Sequence, residues 1–449
     1  MFQIAKDKRH FENNGKNSFY LADTCWSAFT NISEADWEYY LDTRKAQGFN
    51  VIQVNMLWQW DASATTLDFL PFSKDSKGHF DFTKPNQDYF DRAERMIAAA
   101  HKRGITIALV LLWANYLPNT WASDMKIKQV GIFPKETVVD YVTTIVERYK
   151  KYHPIYIVSG DTDFQTSEVI EDYYNAALNT VKNHDKKSIA VLHIRGRESD
   201  IPDTLKNNPN LDFYMYQSGH NQAFQSSAYE LAEIFYDMEP KRPVINSEPC
   251  YEMMGYSRKA YGRFSREDVR KVAWQSVLSG AFAGITYGAH GIWSWHNEQL
   301  TFDSSVGEAF ETPYDWHEAL KFEGAWDYGF LKHFIEKWQL FDIVPNQSLI
   351  RNGADNFVDW QLKGTSDLAV SPSSSREIRA AENNRYVIIY VPSNIKLHLA
   401  GNLSNKKMTY IDLENHRHSE ASGNYFQKDK LTIINMHRFT RDAILIIEK

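Results

Sequence analysis

Short apolar segments alternate with amphipathic helical segments about eight times between residues 19 and 340. One of these segments, at 105–112, is a continuous apolar run, which is typical of a strand covered on both faces in a parallel sheet. The alternation therefore predicts an α/β protein with a (β/α)8 TIM barrel. A doubly wound sheet is the alternative, but no G-x-G-x-x-G motif follows the first strand, so nothing favours a dinucleotide-binding fold.

The sequence changes in character near residue 345. Residues 345–449 hold short alternating segments separated by Gly, Asn, Ser and Lys turns, which is typical of a small antiparallel β-sandwich. At the other end of the chain, residues 2–20 resemble a hairpin with its turn at 13–16. We therefore predict two domains, a barrel with an N-terminal hairpin at residues 1–344 and a β-sandwich at 345–449.

Composition narrows the choice of partner. The formal net charge is −7 and Lys and Arg form no stripe, which argues against nucleic acid, whose binding depends on clustered positive charge. No run of about 18 apolar residues is present, so we expect no membrane span. Aromatic residues make up 14% of the chain, and flat rings with a polar edge suit sugars. A carbohydrate is the expected partner, and the oligomeric state is not indicated.

The expected location follows from the start of the chain and its cysteines. Residues 1–6 lack the long apolar region of a signal peptide, and we interpret Cys25 and Cys250 as reduced thiols. Both features favour the cytoplasm for the chain as given. A protein trimmed of its leader would be secreted or periplasmic and would look the same.

Two carboxylates stand where predicted strands end. Asp161 follows the apolar segment 155–158, and Glu248 follows the segment 244–245. In a barrel the active site lies at the carboxyl ends of the strands, so acids at strands four and seven face each other across its mouth. A glycosidase uses one acid to protonate the leaving oxygen and the other to attack the anomeric carbon. We interpret Asp161 as the acid/base and Glu248 as the nucleophile; the alternative is a structural pair that orders loops.

Three other acids compete for these roles. Asp23 also ends a strand, and because it stands beside Trp26 we interpret it as a hydroxyl-binding residue. Asp163 and Glu252 lie two and four residues beyond the favoured pair. Since loop residues beyond a strand end usually point away from the site, we rank these two lower.

Histidine and tryptophan side chains at the same strand ends extend the candidate site. His193, His220 and His290 either bind substrate hydroxyls or satisfy loop carbonyls, and both interpretations stay open. Among the tryptophans at positions 58, 113, 293 and 295, we expect at least two to stack on a sugar face. The predicted substrate-binding residues are Asp23, Trp26, Asn55, Trp58, Trp113, His193, Tyr216, Gln217, Tyr251, His290 and Trp293.

The histidines also raise the question of a metal. A zinc-dependent barrel hydrolase typically carries His-x-His at its first strand, where this chain has Asp23-Thr24-Cys25, and there is no H-E-x-x-H helix. We expect neither a metal nor a cofactor. The residues thus favour a retaining glycoside hydrolase, with a barrel that binds a glycan without cleaving it as the alternative and a metal-dependent hydrolase as a less favoured third hypothesis.

Five motifs follow one another along the barrel segment of the chain. They are YLADTCW at 20–26, GFNVIQ at 48–53, VSGD at 158–161, SEPCYE at 247–252 and YGAHGIW at 287–293. In this order they resemble the apiosidase-like barrels of glycoside hydrolase family 140. The resemblance spans residues 1–345, and the remaining segment is similar to the β domain that accompanies that barrel, which is sometimes labelled as collagen-binding.

The resemblance implies a retaining, exo-acting glycosidase. It matches an acid/base Asp to Asp161 and a nucleophilic Glu to Glu248, and it departs from the many related barrels that carry Asn-Glu at strand four. The known substrate of the family is apiose on a plant pectin side chain, so the implied substrate is a plant-type or other complex glycan. We expect the β domain to be a structural support, not a collagen-binding module.

Overall fold

The chain folds into two compact units. The computed structural model describes residues 1–124, 130–164, 168–257, 260–302, 310–352 and 377–449. The first unit consists of Met1–Ala273 and Ala281–Phe341, and the second of Asp342–Lys449 with Trp274–Gly280.

An eight-stranded parallel sheet forms the centre of the first unit. Its strands are β1 Tyr20–Thr24, β2 Val51–Asn55, β3 Thr106–Val110, β4 Ile155–Ile157, β5 Ile189–Val191, β6 Tyr214–Tyr216, β7 Val244–Asn246 and β8 Gly284–Tyr287. They pair in the order β5-β4-β3-β2-β1-β8-β7-β6. Between β5 and β6 the Asp212 N–H donates to the Ala190 carbonyl at 2.9 Å, so the sheet is nearly closed. This arrangement confirms the predicted (β/α)8 TIM barrel.

Helices connect the barrel strands, and their sequences explain where they begin and what they bury. Ser33 caps α2, because its hydroxyl accepts the Asp36 N–H at 3.1 Å. The helix α5 buries Val138, Val142 and Ile145, which recur at helical spacing. The helices are α1 Ala28–Asn31, α2 Glu34–Ala46, α3 Gln87–Lys102, α4 Trp121–Asp124, α5 Val138–Tyr149, α6 Glu168–His184, α7 Asp203–Lys206, α8 Ser227–Asp237, α9 Arg266–Leu278, α10 Trp316–Ala319 and α11 Gly324–Trp338.

The N-terminal segment is more elaborate than the predicted hairpin. It forms three antiparallel strands, Phe2–Ile4, Phe11–Asn13 and Lys16–Ser18. The Phe11 ring packs edge-on against Phe213, just before β6, with 5.1 Å between centroids. The small sheet therefore covers the end of the barrel at which the strands begin. A separate antiparallel pair, Phe72–Lys74 and Phe80–Pro85, lies between β2 and α3.

The second unit is antiparallel throughout its described part. One sheet has the order β9-β10-β11-β17-β13-β14 and the other has the order β12-β16-β15. Side chains from both sheets meet in one core, which includes Ile389, Leu399 and Leu445. This confirms the predicted antiparallel β domain. Its strands are β9 Val344–Pro345, β10 Arg379–Glu382, β11 Tyr386–Val391, β12 Leu397–Ala400, β13 Met408–Asp412, β14 His418–Ala421, β15 Gly423–Phe426, β16 Leu431–Ile434 and β17 Ala443–Glu448.

Within the described residues, no helix combines the length and the apolar character that a membrane span needs.

Candidate active site

A cavity of about 360 Å³ lies at the carboxyl ends of the barrel strands. Every one of the eight loops that follow β1–β8 contributes to its wall, as expected for the functional face of such a barrel. The wall is formed by Trp26, Gln59, Trp60, Asp61, Trp113, Trp121, Asp161, Arg195, Gly196, Arg197, Gln217, Ser218, Gly219, His220, Asn221, Glu248, Tyr251, Met254, Ser257, Trp293 and Phe310.

Glu248 lies just beyond β7, and its side chain meets two histidines. It is 7% exposed. His220 Nε2 donates to Oε1 at 2.9 Å, and His193 Nε2 lies 3.2 Å from Oε2 at an angle short of an aligned hydrogen bond. Burial alone would raise the pKa of Glu248, but the contacts with His193 and His220 outweigh it and lower the pKa to about 2. Glu248 is therefore a carboxylate at neutral pH.

Asp161 follows β4 and has the opposite electrostatic character. Its carboxyl is partly accessible from the cavity but enclosed by protein, and burial raises its pKa well above the usual range. The charge of Glu248 raises the pKa of Asp161 further, while Arg195 partly opposes this shift. Asp161 therefore retains its proton under conditions in which Glu248 is ionised. The two predicted catalytic acids thus share one cavity wall and differ in protonation.

The backbone at Asp161 is unusual and held in place by neighbours. Its φ is +49°, a left-handed conformation that a non-glycine residue adopts at a cost on the order of 1 kcal/mol. The Asp161 N–H donates to His193 Nδ1 at 3.1 Å, and the Asp161 carbonyl accepts from Trp121 Nε1 at 2.6 Å. The preceding Gly160 leaves room for Trp113, since a Cβ there would lie 2.2 Å from the ring. These contacts fix where the carboxyl of Asp161 lies.

Aromatic side chains form much of the remaining wall. Trp26 meets Trp113 edge to face at 5.1 Å between centroids, and its Nε1 donates to the Tyr251 hydroxyl at 3.2 Å. Within the described residues, Nε1 of Trp113 and Nε1 of Trp293 are buried without a hydrogen-bond partner. Each of these donors could be satisfied by an oxygen atom of a ligand. Trp26, Trp113, Gln217, Tyr251 and Trp293 thus lie where the sequence predicts a sugar-binding wall; that they bind sugar stays a prediction.

Asp23 and Tyr216 do not reach the cavity, because alternate residues of a strand point to opposite faces. Asp23 is 0% exposed and points to the helices outside the barrel, where it accepts from Arg44 Nε at 2.6 Å and from the Tyr40 hydroxyl at 2.7 Å. The Tyr216 hydroxyl donates to the Ala228 carbonyl on α8 at 2.7 Å. The structure therefore gives Asp23 an ion pair in the barrel wall in place of the expected contact with a sugar hydroxyl.

Three further predicted residues lie behind or beside the wall. Asn55 donates its side-chain amide to Gln59, which itself lines the cavity. Trp58 instead lines a second cavity of about 300 Å³, bordered by residues 62–65. His290 is fully buried and stacks parallel to Trp293 at 6.3 Å, so it supports that ring from behind.

His290 is also neutral at ordinary pH. Burial, followed by the charge of Arg263, lowers its pKa to about 3. His193, also predicted to bind substrate, is buried beneath the wall between Asp161 and Glu248.

The rival acids are both engaged elsewhere. Asp163 accepts from the Trp121 N–H at 3.0 Å and from Arg195 Nη1 at 3.4 Å. Glu252 accepts from the Tyr287 hydroxyl at 2.5 Å and from a backbone N–H, and burial raises its pKa to about 7. Neither belongs to the wall of the cavity. In the described segments, no three His, Cys, Asp or Glu side chains converge as a metal site.

Several wall residues carry no signal in the sequence that marks them as part of the site. His220 stood out only as a residue near a strand end, and nothing in the sequence linked it to Glu248, which lies 28 positions away. Trp121 lies beyond a turn after β3, so no strand-end pattern marked it. Gln59, Trp60, Asp61, Arg195, Arg197, Ser218, Asn221, Met254, Ser257 and Phe310 also reach the wall through loop conformations that strand and helix periodicity does not predict.

Comparison with known families decides the class of protein. The model of the apiosidase-like catalytic domain matches residues 5–342, which is most of the chain and includes the entire cavity wall. The chain belongs to the apiosidase-like family. This protein is therefore a glycoside hydrolase, as the sequence motifs indicated. A comparison with curated protein sequences finds no match.

Solved structures show the same fold. A structure named glycoside hydrolase is 22% identical, with 100% of this chain and 96% of that chain covered and a TM-score of 0.76. A glycoside hydrolase family 5 protein from Bacteroides vulgatus ATCC 8482 is 21% identical, with coverage of 100% and 93% and a TM-score of 0.77. A family 5 mannosidase from Rhizomucor miehei is 12% identical, with coverage of 75% and 99% and a TM-score of 0.51. This apiosidase-like chain therefore shares its architecture with glycoside hydrolases of low sequence identity.

Proposed function

We propose that this apiosidase-like protein is a retaining glycoside hydrolase in which Glu248 is the nucleophile and Asp161 is the acid/base. The observation that supports this proposal is the opposite protonation of two acids on one cavity wall. Contacts with two histidines lower the pKa of Glu248 to about 2, while burial and the charge of Glu248 raise the pKa of Asp161. A double displacement requires one ionised and one protonated carboxyl group.

In the first step, a carboxylate oxygen of Glu248 attacks the anomeric carbon while Asp161 protonates the glycosidic oxygen. The bond between the anomeric carbon and that oxygen breaks, the alcohol leaves, and a glycosyl ester forms on Glu248. In the second step, Asp161 takes a proton from water, the water oxygen attacks the anomeric carbon, and Glu248 leaves as a carboxylate. Each step inverts the configuration at the anomeric carbon, so the two steps together retain it.

The electrostatics suit both steps. Esterification removes the charge of Glu248, which is the second cause of the raised pKa of Asp161. The pKa of Asp161 therefore falls once the intermediate has formed, so the group stays ionised after it has given up its proton and is available as the base that the second step needs. Arg195 acts in the opposite direction to Glu248, because its positive charge lowers the pKa of Asp161.

The substrate is a plant-type or other complex glycan, and the family match supports a terminal apiosyl residue as the first candidate. The tryptophans and Tyr251 of the wall offer faces for a sugar ring, while Gln217 and Ser218 offer polar contacts to its hydroxyls.

Aryl apiosides and a panel of aryl glycosides, with the anomer of the first product followed by NMR, test the proposal. Glu248→Gln should abolish turnover on every substrate. Asp161→Asn should abolish it for poor leaving groups but retain the first step for dinitrophenyl glycosides, which need no protonation. Added azide should then release a glycosyl azide of retained configuration from the Asp161→Asn protein, because azide needs no base.

Glu323→Gln and Asp203→Asn are matched controls, since both carboxylates form surface ion pairs and are 71% and 82% exposed. They should behave like the parent protein. Full activity in Glu248→Gln, or a first product of inverted configuration, would refute the proposed mechanism.

A further inference from the structure

His193 connects the two acids through its two ring nitrogens. It follows β5 and is fully buried. The Asp161 N–H donates to Nδ1 at 3.1 Å, while Nε2 lies 3.2 Å from Glu248 Oε2. One imidazole ring therefore contacts the backbone of one candidate catalytic residue and the carboxylate of the other.

The contact with Asp161 determines the tautomer of the ring. A backbone N–H can only donate a hydrogen bond, so Nδ1 must be the unprotonated, accepting nitrogen. In the neutral ring the proton then resides on Nε2, the nitrogen that faces Glu248. A second proton on Nδ1 would place two donors 3.1 Å apart, which would break the bond to Asp161. His193 can thus stabilise the carboxylate of Glu248 without carrying a charge itself.

The surroundings of His193 allow the ring little freedom to turn. Its N–H donates to Ser159 Oγ, and Ser159 Oγ–H donates to its carbonyl, both at 2.9 Å. Trp26 and Trp113 flank the ring at 5.5 and 5.8 Å between centroids. A flipped ring would aim a carbon at each of the two partners, Asp161 and Glu248, and would satisfy neither.

We propose that His193 is a positioning residue, held as the Nε2–H tautomer by the Asp161 backbone, which turns its Nε2–H toward the carboxylate of Glu248 and fixes the left-handed backbone of Asp161. The role in turnover rests on the proposed function, but the tautomer and the contacts do not. The bond to Nδ1 helps to offset the strain at a φ of +49°. Because one ring sets both contacts, the positions of the acid/base and the nucleophile depend on each other.

Other groups also face the two acids and contribute to the pH dependence of activity. His220, His193 and the Tyr251 hydroxyl face Glu248, and Asp161 couples to it through charge. Besides Glu248, the charged groups that act on Asp161 are Arg195, Asp61 and Asp163. Substitutions at His193 change none of the other groups.

The first test is direct. NMR of the full chain carrying 15N-labelled histidine, with His193→Phe used for assignment, reports the protonation of each ring nitrogen. We expect His193 to have an unprotonated Nδ1 and a protonated Nε2. A protonated Nδ1 in either the neutral or the charged ring would overturn the proposal, whatever the protein catalyses.

The second test separates the two contacts by substitution. An asparagine side chain reaches the place of Nδ1, and a glutamine side chain reaches the place of Nε2. His193→Asn keeps an acceptor for the Asp161 N–H but loses the donor to Glu248, so the acid limb of kcat/KM should move up by about one pH unit. His193→Gln keeps that donor and loses the acceptor, so kcat should fall roughly tenfold with the acid limb unmoved.

These results distinguish failure of this inference from failure of the proposed function. Equal pH profiles in His193→Asn and His193→Gln would contradict the positioning role. By contrast, activity that survives Glu248→Gln would contradict the catalytic assignment and leave the NMR result to decide the tautomer. If either His193 variant fails to fold, the NMR measurement on the parent protein still decides.

Discussion

Replacing Arg44 by methionine should destabilise the barrel unit without altering the cavity. Arg44 on α2 and Asp23 on β1 form an ion pair at 2.6 Å, and both side chains are 0% exposed. Arg44 Nη1 also donates to Gln47 Oε1 at 2.7 Å, and Asp23 accepts a hydrogen bond from the Tyr40 hydroxyl. Methionine fills much of the same volume but leaves a buried carboxylate without its cation.

The structure sets the size and the pH dependence of this effect. Removing one partner of a buried ion pair typically costs about 3–5 kcal/mol. Burial already raises the pKa of Asp23 despite Arg44, so without Arg44 this pKa should rise further and the carboxyl should protonate in part. A folded-state pKa above the unfolded value means that stability is greatest at low pH and falls as pH rises. We therefore expect a loss of about 3 kcal/mol at pH 7 that diminishes toward pH 4.

Urea denaturation of the full chain, followed by tryptophan fluorescence, measures this loss. Most tryptophans lie in the barrel unit, so the signal reports its unfolding. Arg95→Met is the matched control, because its ion pair with Glu34 is 57% and 47% exposed and should contribute less than about 1 kcal/mol. A loss of stability in Arg44→Met no larger than that of the control would contradict the structural role of Asp23. An Asp23→Asn protein with normal stability and a KM raised more than tenfold would show instead that Asp23 binds the sugar.

Three further predictions concern individual side chains. In Glu248→Gln the pKa of Asp161 should fall, because the neighbouring charge is gone; 13C NMR titration of the aspartates checks this, and an unchanged pKa would contradict the coupling. The pKa of Glu252 is raised to about 7, so its contribution to the free energy of unfolding is fully present below pH 4.5 and is lost as pH rises through 7. Glu252→Gln should remove about 3 kcal/mol of this pH dependence, measured by urea titrations from pH 5 to pH 8. Trp293→Ala should raise KM for aryl glycosides roughly threefold to tenfold with a smaller effect on kcat, and an unchanged KM would place the sugar away from this ring.

The fold could be predicted because it depends on patterns that are local in the chain. Apolar strands alternate with amphipathic helices, and this alternation predicts a parallel sheet whose strands are buried on both faces, with about eight units favouring a barrel. The candidate catalytic acids followed from the same pattern. Since the carboxyl ends of parallel strands meet at one face, Asp161 and Glu248 were expected at the same mouth of the barrel, and both line the cavity there.

The details of the site could not be predicted in this way. Whether a residue at a strand end points inward or outward depends on the register of the strand, and a one-residue difference sends Asp23 to Arg44 and away from the cavity. The protonation of Glu248 depends on His193 and His220, which belong to the segments that follow two other strands.

The sequence by itself therefore determined the barrel, the antiparallel domain and the face of the barrel on which two acids stand. Only the tertiary structure decided which of those acids is ionised, because a pKa depends on burial and on charges brought close in space. The same is true of the tautomer of His193, which is set by a backbone N–H from a different strand end. The periodicity of the sequence indicates which face of a helix or strand a residue occupies. The chemistry of the site depends on distances between residues that only the folded chain defines.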